Sequence, residues 1–367
     1  MPPIVDAHHH LWDRSMTQFD HKWHEDKGHE KICKNFLPPD LEPLIKAKGV
    51  EKTVFVQTQH DTRENDWVLD LADQYDWMAG VVGWVDLAGD DCEAQIEKYK
   101  SKSKFVGVRH IVQGEKDDDF IIRDDVSKGL ALLEKHELAY DLLFFVKHIK
   151  HAKTVAAKFP NLRLVIDHLA KPVIKNQDMT GWKEDFVAAA KHENVYCKLS
   201  GMVTEADWEN WKPADLKPYV ETALEAYGAE RCMFGSDWPV CELAATYSEA
   251  FDALMECIGG VSEAERGHIL GQNAIEFYRL KVWSLRKFGF QPNTCFVRLK
   301  TEPTLRRPTC YSNHSTNRRP FEYTTRRCRT GGRTVAHISL PTGWQIPFRR
   351  RSLTNGTTKN KNGFRRD

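Results

Sequence analysis

A TIM-type (β/α)8 barrel, an α/β fold, is what this 367-residue sequence predicts. Three observations point to it. Eight short segments rich in β-branched and aromatic residues recur before residue 282, with nearly continuous apolar runs, as in strands covered on both faces. Segments with helical periodicity alternate with them, the pattern that builds a parallel sheet. A doubly wound open sheet, the rival, predicts a glycine-rich phosphate loop after the first strand, and none follows it.

The first strand is read at 3–10, "PIVDAHHH". Ile4 and Val5 give it an apolar start, and strand alternation places His8 and His10 on one face and His9 on the other. The helix "PPDLEPLIKAKG" follows, with prolines near its start and a glycine after its end. The second strand is "KTVFVQTQ" (52–59), followed by "ENDWVLDLADQYD", where Trp67, Leu71 and Tyr75 fall at helical spacing. "MAGVVGWVDL" (78–87) leads to the helix "DDCEAQIEKYK", and "FVGVRHIV" (105–112) to "DDVSKGLALLEKHE". "AYDLLFFV" (139–146) is followed by "HIKHAKTVAAKFP", and "LRLVIDHL" (162–169) by "TGWKEDFVAAAKHE". "NVYCKLSG" (194–201) precedes "ADLKPYVETALEAYG", and "CMFGSDWP" (232–239) precedes "TYSEAFDALMECI". A final helix, "VSEAERGHILGQNAIEFYRL", carries Ser262 and Glu265 as a capping box.

Composition marks a boundary. Residues 282–367 carry 19 Lys+Arg against 3 Asp+Glu, leaving 34 against 49 for residues 1–281, so a net charge of +1 hides two oppositely charged segments. The division is therefore 1–281 as the barrel and 282–367 as a basic tail, expected to be disordered or only marginally structured. The tail is either a nucleic-acid-binding arm or an appended coding end unrelated to the barrel. The second reading is preferred, so no nucleic-acid partner is expected. No stretch of about 18 apolar residues suggests a membrane span, and no charged start with an apolar block suggests a secretory leader. The nine scattered cysteines form no CxxC pair, which suits reduced thiols and a cytoplasmic location.

Polar residues gather at the carboxyl ends of the predicted strands: His8 and His10; Gln57 and Gln59; Arg109 and His110; Asp141; Asp167 and His168; Lys198 and Ser200; Ser236 and Asp237. In a barrel these ends converge on one mouth, where such enzymes hold their active sites. Asp141 and Asp167 are read as helix caps or backbone anchors. The loop 20–30, with His21, His24 and His29, is read as a solvated cover for the mouth. Trp12, Trp23, Trp84 and Trp238 are either packing residues or an apolar wall for a sugar ring. Cys197 and Cys241 are read as small buried groups.

"DAHHHLW" resembles the opening motif of the amidohydrolase superfamily. "LVIDHLAKP", "VYCKLSG", "FGSDWPV" and "GQNAIEFY" resemble the amidohydrolase-2 branch that holds sugar-lactone hydrolases and 2-pyrone-4,6-dicarboxylate lactonase. The resemblance covers roughly residues 3 to 280. It implies a barrel hydrolase acting on a small lactone, with His8, His10, His168 and Asp237 as the catalytic set. Opening a cyclic ester needs an activated water and a polarised carbonyl. Asp237 suits the general base, and histidines, or a metal that they hold, suit the oxyanion. Arg109, His110, Gln57, Trp84, Lys198 and Trp238 are the candidates for substrate binding. Arg109 has an internal ion pair as its other reading.

Metal-bearing relatives add a histidine on strand five and, for two metals, a lysine on strand four. Neither residue is present here, so the expectation is no required cofactor or one divalent ion, Zn²⁺ or Mn²⁺, on His8, His10 and Asp237, with His168 as a further donor. Two alternatives stay open: a metal-dependent decarboxylase of a small carboxylic acid, and a non-catalytic barrel binding nucleic acid through its tail. The sequence leaves the particular lactone and the oligomeric state open.

Overall fold

The computed structural model describes residues 2–282 and two short strands, Arg327–Thr330 and Arg333–Ala336, which pair antiparallel. The expectation of a low-order tail over 282–367 otherwise lies outside the described residues. The larger unit is an eight-stranded parallel barrel, its strands adjacent in chain order. They are β1 (Ile4–His9), β2 (Val50–Val56), β3 (Met78–Gly83), β4 (Phe105–His110), β5 (Ala139–Leu142), β6 (Leu164–Ile166), β7 (Val195–Leu199) and β8 (Cys232–Phe234). The outer helices are α1 (Pro38–Ala47), α2 (Thr62–Gln74), α3 (Cys92–Lys100), α4 (Asp124–Lys135), α5 (Lys150–Lys158), α6 (Lys183–Ala190), α7 (Met202–Glu205), α8 (Pro213–Tyr227) and α9 (Tyr247–Cys257).

Several strands end earlier than their apolar runs. β3 stops at Gly83 because the Asn65 side chain takes over the backbone of Trp84, accepting from its N–H at 2.9 Å and donating to its carbonyl at 2.6 Å. β6 stops at Ile166 because the chain then turns left-handed. The final helical stretch begins where the Ser262–Glu265 capping box predicts. It passes through a π segment, His268–Gln272. There Gly271 lies so close to the first strand that a Cβ would meet the Pro3 carbonyl oxygen at 2.0 Å.

Closure of the barrel relies on β1 and the chain after β8. The Asp237 N–H donates to the His8 carbonyl at 2.8 Å, and the His10 N–H donates to Trp238 at 2.7 Å. Below them the buried Asp6 carboxylate accepts from the N–H groups of Ser236 (2.8 Å) and His8 (3.2 Å) and from the Tyr247 hydroxyl (3.1 Å). This close approach needs glycine at 235, where a Cβ would sit 2.7 Å from that of His8.

Ala274, Phe277, Tyr278 and Leu280 pack against Val5, Val54, Val106, Ala139 and Val165 and fill the amino end of the barrel. Each large apolar side chain buried there contributes roughly 1.5–3 kcal/mol, so Phe277, Tyr278 and Leu280 belong to the core. A chain truncated after Lys281 is therefore expected to fold and melt cooperatively. Loss of the cooperative transition would show that later residues belong to the domain.

Candidate active site

Strand alternation separates the three histidines as the sequence predicts. His9 turns outward, its Nε2 2.9 Å from the Thr53 hydroxyl and its ring against Phe55 and Trp77. His8 and His10 face the mouth with their Nε2 atoms 3.2 Å apart. The Nδ1 of His10 donates to the Val56 carbonyl at 2.7 Å, so the neutral ring carries a lone pair on Nε2. The Nδ1 of His8 lies between a donor and an acceptor: Lys198 Nζ at 3.1 Å and Asp167 Oδ1 at 3.3 Å.

Asp237 sits beyond β8 with φ 58° and turns its carboxylate back over these rings. Its Oδ1 is 3.3 Å from His10 Nε2, 3.7 Å from His8 Nε2 and 3.8 Å from His168 Nε2. His168 arrives on an unusual path. His168, Leu169, Ala170 and Lys171 have φ of 52°, 53°, 58° and 52°. A left-handed conformation costs roughly 1–2 kcal/mol per non-glycine residue. The turn is held by burial of Leu169 and Ala170 and by the Trp182 indole, which donates to the Leu169 carbonyl at 2.6 Å. Ser200 Oγ lies 2.9 Å from His168 Nδ1. Gly201 leaves the imidazole room, since a Cβ there would stand 2.5 Å from His168 Nδ1.

Beneath the rings lies a buried charge network. Lys198 Nζ bonds Asp141 at 2.5 Å and Asp167 at 3.0 Å. Arg109 donates to Asp167 at 3.0 Å and also to the Gln57 carbonyl. The Tyr278 hydroxyl reaches both Asp141 oxygens, at 2.9 and 2.8 Å. Asp141 and Asp167 are thus ion-pair partners rather than the caps or backbone anchors that the sequence suggested, because both point into the barrel where lysine and arginine meet them.

Burial holds all three site imidazoles below their ordinary range, His168 down to about 4. Burial also raises the Asp237 carboxyl, but His168, His10 and His8 outweigh it and hold it well below the usual carboxylate range. Burial pushes Asp141 up to about 6 against the pull of Lys198. Near neutral pH the inner group is thus neutral imidazoles, with the carboxylates of Asp141, Asp167 and Asp237 facing the cations Arg109 and Lys198.

That balance fits a bound cation. When His8 donates Nδ1–H to Asp167, the Nε2 lone pairs of His8 and His10 face each other beside Asp237. His8, His168 and Asp237 also offer donors within 4.8 Å of one another. His168 therefore stands with the set His8, His10 and Asp237. One divalent ion suits this donor chemistry. Calorimetric titration with Zn²⁺ is expected to show one equivalent bound per chain, lost in His8→Ala. No saturable binding by the unaltered chain would show that these donors do not form a cation site.

A cavity of about 330 Å³ opens above the group. His10, Arg109, His168 and Asp237 line it, together with Trp23, Thr58, Ile111, Gln113, Leu143, Lys171 and Val240. His8 lies just beneath, fully buried. The other candidates stand elsewhere. Gln57 is buried and donates to the Arg109 carbonyl. Lys198 is sealed below the rings. His110 spends its nitrogens on Glu115 and the Trp84 indole, in a side cluster with His60 and Phe120. Trp238 is buried against Phe36, its indole donating to Glu242. Of the four tryptophans considered as a sugar wall, Trp23 lines the cavity. It is carried there by the 20–30 loop. That loop is less solvated than expected, since His24 is buried against the rings of Trp12 and Trp23. Cys197 and Cys241 are buried and free.

Thr58 is held by Glu64 of α2, whose carboxylate accepts from the N–H groups of Thr58 (2.9 Å) and Gln59 (3.1 Å) and from the Thr58 hydroxyl (2.5 Å). Burial pushes Glu64 up to about 7 from 4.5 despite these bonds. Its carboxyl is protonated in both states below pH 4.5. Between pH 4.5 and 7 the unfolded chain releases that proton first, so this group makes stability fall as pH rises through the window. Glu64→Gln is expected to remove that slope, gaining on the order of 2–3 kcal/mol relative to the parent between pH 4 and 8. Parallel slopes in urea unfolding of both proteins would contradict this.

Catalytic-type side chains at the carboxyl ends of barrel strands define an α/β-barrel enzyme site. The chain belongs to the amidohydrolase family Amidohydro_2, whose pattern matches residues 5–280. It is 38% identical over 283 residues to an L-fucono-1,5-lactonase of Burkholderia ambifaria, covering 75% of this chain and 95% of that one. It is 29% identical over 154 residues to an L-rhamnono-gamma-lactonase of Scheffersomyces stipitis, covering 36% of this chain and 45% of that one. A crystal structure of an amidohydrolase from Burkholderia multivorans with bound zinc superposes with a TM-score of 0.72 at 32% identity, covering 76% of this chain and 99% of that one. Among the described residues no helix is long and apolar enough to cross a membrane.

Proposed function

We propose that this chain is a hydrolase that opens the cyclic ester of a sugar-acid lactone. The observation that carries the reading is the Asp237 carboxylate, kept ionised among neutral imidazoles on the wall of a cavity sized for a small ring. The names of the relatives support the substrate class.

In this reading Asp237 accepts a proton from water as that water attacks the lactone carbonyl. The lone pair on His10 Nε2, 3.3 Å from Asp237, orients the same water. The neutral His10 ring cannot donate there, because its proton is on Nδ1. Stabilising the oxyanion falls to His168, whose Nε2–H is free to donate when Ser200 donates to Nδ1. Collapse of the tetrahedral adduct breaks the ring C–O bond, and Asp237 returns its proton to the leaving alkoxide. A divalent ion held by His8, His10 and Asp237 would supply Lewis-acid polarisation of the carbonyl when bound. The cysteines among the described residues, free and mostly buried, support a cytoplasmic location. The basic tail has no part in this reading.

Acid release by pH-stat across a panel of aldonolactones tests it. The expected result is turnover of at least one lactone with one equivalent of acid and no CO₂. Release of CO₂ from a carboxylic acid, with every lactone inert, would overturn it.

A further inference from the structure

The left-handed turn after β6 carries two polar side chains to the cavity, and the reaction described above uses one of them. Left-handed turns repeat nearly every three residues, so His168 and Lys171 share a side and both line the cavity. Leu169 and Ala170, between them, face the core. The Lys171 N–H closes the turn on the His168 carbonyl at 2.8 Å.

Lys171 differs from the other cation on the cavity wall. The Arg109 guanidinium is committed to Asp167 and the Gln57 carbonyl. The nearest carboxylate oxygen to Lys171 Nζ is Glu205 Oε1 at 3.7 Å, beyond hydrogen-bond length, and its ammonium otherwise lies 5.5 Å from the centre of the Phe145 ring. Its donors therefore remain available to a ligand. Gln113 lines the same cavity, and its Oε1 is buried with no hydrogen-bond partner. A buried acceptor left unmatched is uncommon in a folded chain, and here it belongs to a side chain that lines the cavity.

A charged donor and an unmatched acceptor on one cavity are complementary to hydroxyl groups, which both accept and donate. We infer that Lys171 and Gln113 determine specificity by binding the ring hydroxyls of the substrate, so that the site selects polyhydroxylated lactones over unsubstituted ones. This rests on the lactonase reading. The strain held in the turn serves to set Lys171 and His168 at a fixed separation, one on the ring substituents and the other on the carbonyl.

The test compares a polyhydroxylated six-carbon aldono-1,5-lactone with δ-valerolactone, in the full chain and in Lys171→Met, Lys171→Arg and Gln113→Leu. Lys171 is half-buried and Gln113 lies at the mouth, and thermal melts confirm that each variant is folded. For the hydroxylated lactone, kcat/KM is expected to fall on the order of 10–100-fold in Lys171→Met and about 5–10-fold in Gln113→Leu. For δ-valerolactone it should change less than about threefold, with partial recovery of selectivity in Lys171→Arg. Equal losses on both lactones, or no loss on either, would overturn the inference while leaving the lactonase reading standing. The hydroxylated lactone is one that the parent chain turns over in the panel above; a parent inert across that panel would remove that reading and this inference with it.

Discussion

Asp237→Asn is expected to lower kcat by roughly 10²–10⁴ while leaving the fold intact. Asparagine fills the same volume, and the turn at φ 58° that presents residue 237 tolerates it well. What disappears is the ability to take a proton from the attacking water. The three surrounding imidazoles cannot substitute, because burial keeps them below the range of an efficient base and His10 Nε2 is placed to orient water instead. Circular dichroism and the melting temperature establish folding, and steady-state kinetics on a turned-over lactone give the effect. Near-normal turnover by the folded variant would remove Asp237 from the role of base.

Lys198→Met is expected to produce the largest loss of stability, about 3–5 kcal/mol. Lys198 is fully buried and bonds Asp141 and Asp167, themselves fully buried. Methionine fills the space but leaves those carboxylates short of a countercharge. Asp167 retains Arg109, and Asp141 retains only the Tyr278 hydroxyl among its contacts here. Adding Asp141→Asn removes the stranded charge, so the double variant should recover much of the loss. Urea unfolding of the three proteins decides it. A single variant within about 1 kcal/mol of the parent would mean that the network is worth no more than an apolar filling of the same shape.

All eight strands are visible in the sequence because each is a short β-branched run covered on both faces, and such runs have few other solutions. The gathering of His8, His10, His168 and Asp237 at one mouth was legible for a related reason: each lies within a few residues of the end of an apolar run. The destinations of Gln57, Lys198 and His110 were not. They too follow apolar runs, and alternation alone does not tell which of them reaches the cavity and which is taken up by neighbouring groups. Lys198 is spent below the rings by carboxylates from β5 and the turn after β6, a pairing that only the closed barrel creates. Lys171 was hidden for a different reason. No local propensity predicts four successive non-glycine residues in the left-handed region, and a proline at 172 disfavours it. Tertiary packing of Leu169, Ala170 and Trp182 imposes that turn. Trp23 reaches the mouth from a loop without periodicity, so its place depends on how the loop folds back over Trp12.

In the proposed reaction one face of "HHH" does chemistry on a lactone and the other face only packs. Initial rates of acid release from a sugar-acid lactone by the parent chain, His8→Ala and His9→Ala test this most directly. His8 sits against His10, Asp237 and Asp167 and holds the general base and the water-orienting ring in place, so its removal should cost on the order of 10²-fold or more in kcat. His9 touches Thr53, Phe55 and Trp77 on the outer side, so its removal should leave kcat within a few-fold while lowering the melting temperature. An inactive His9 variant that remains folded, beside a His8 variant that turns over normally, would contradict the account.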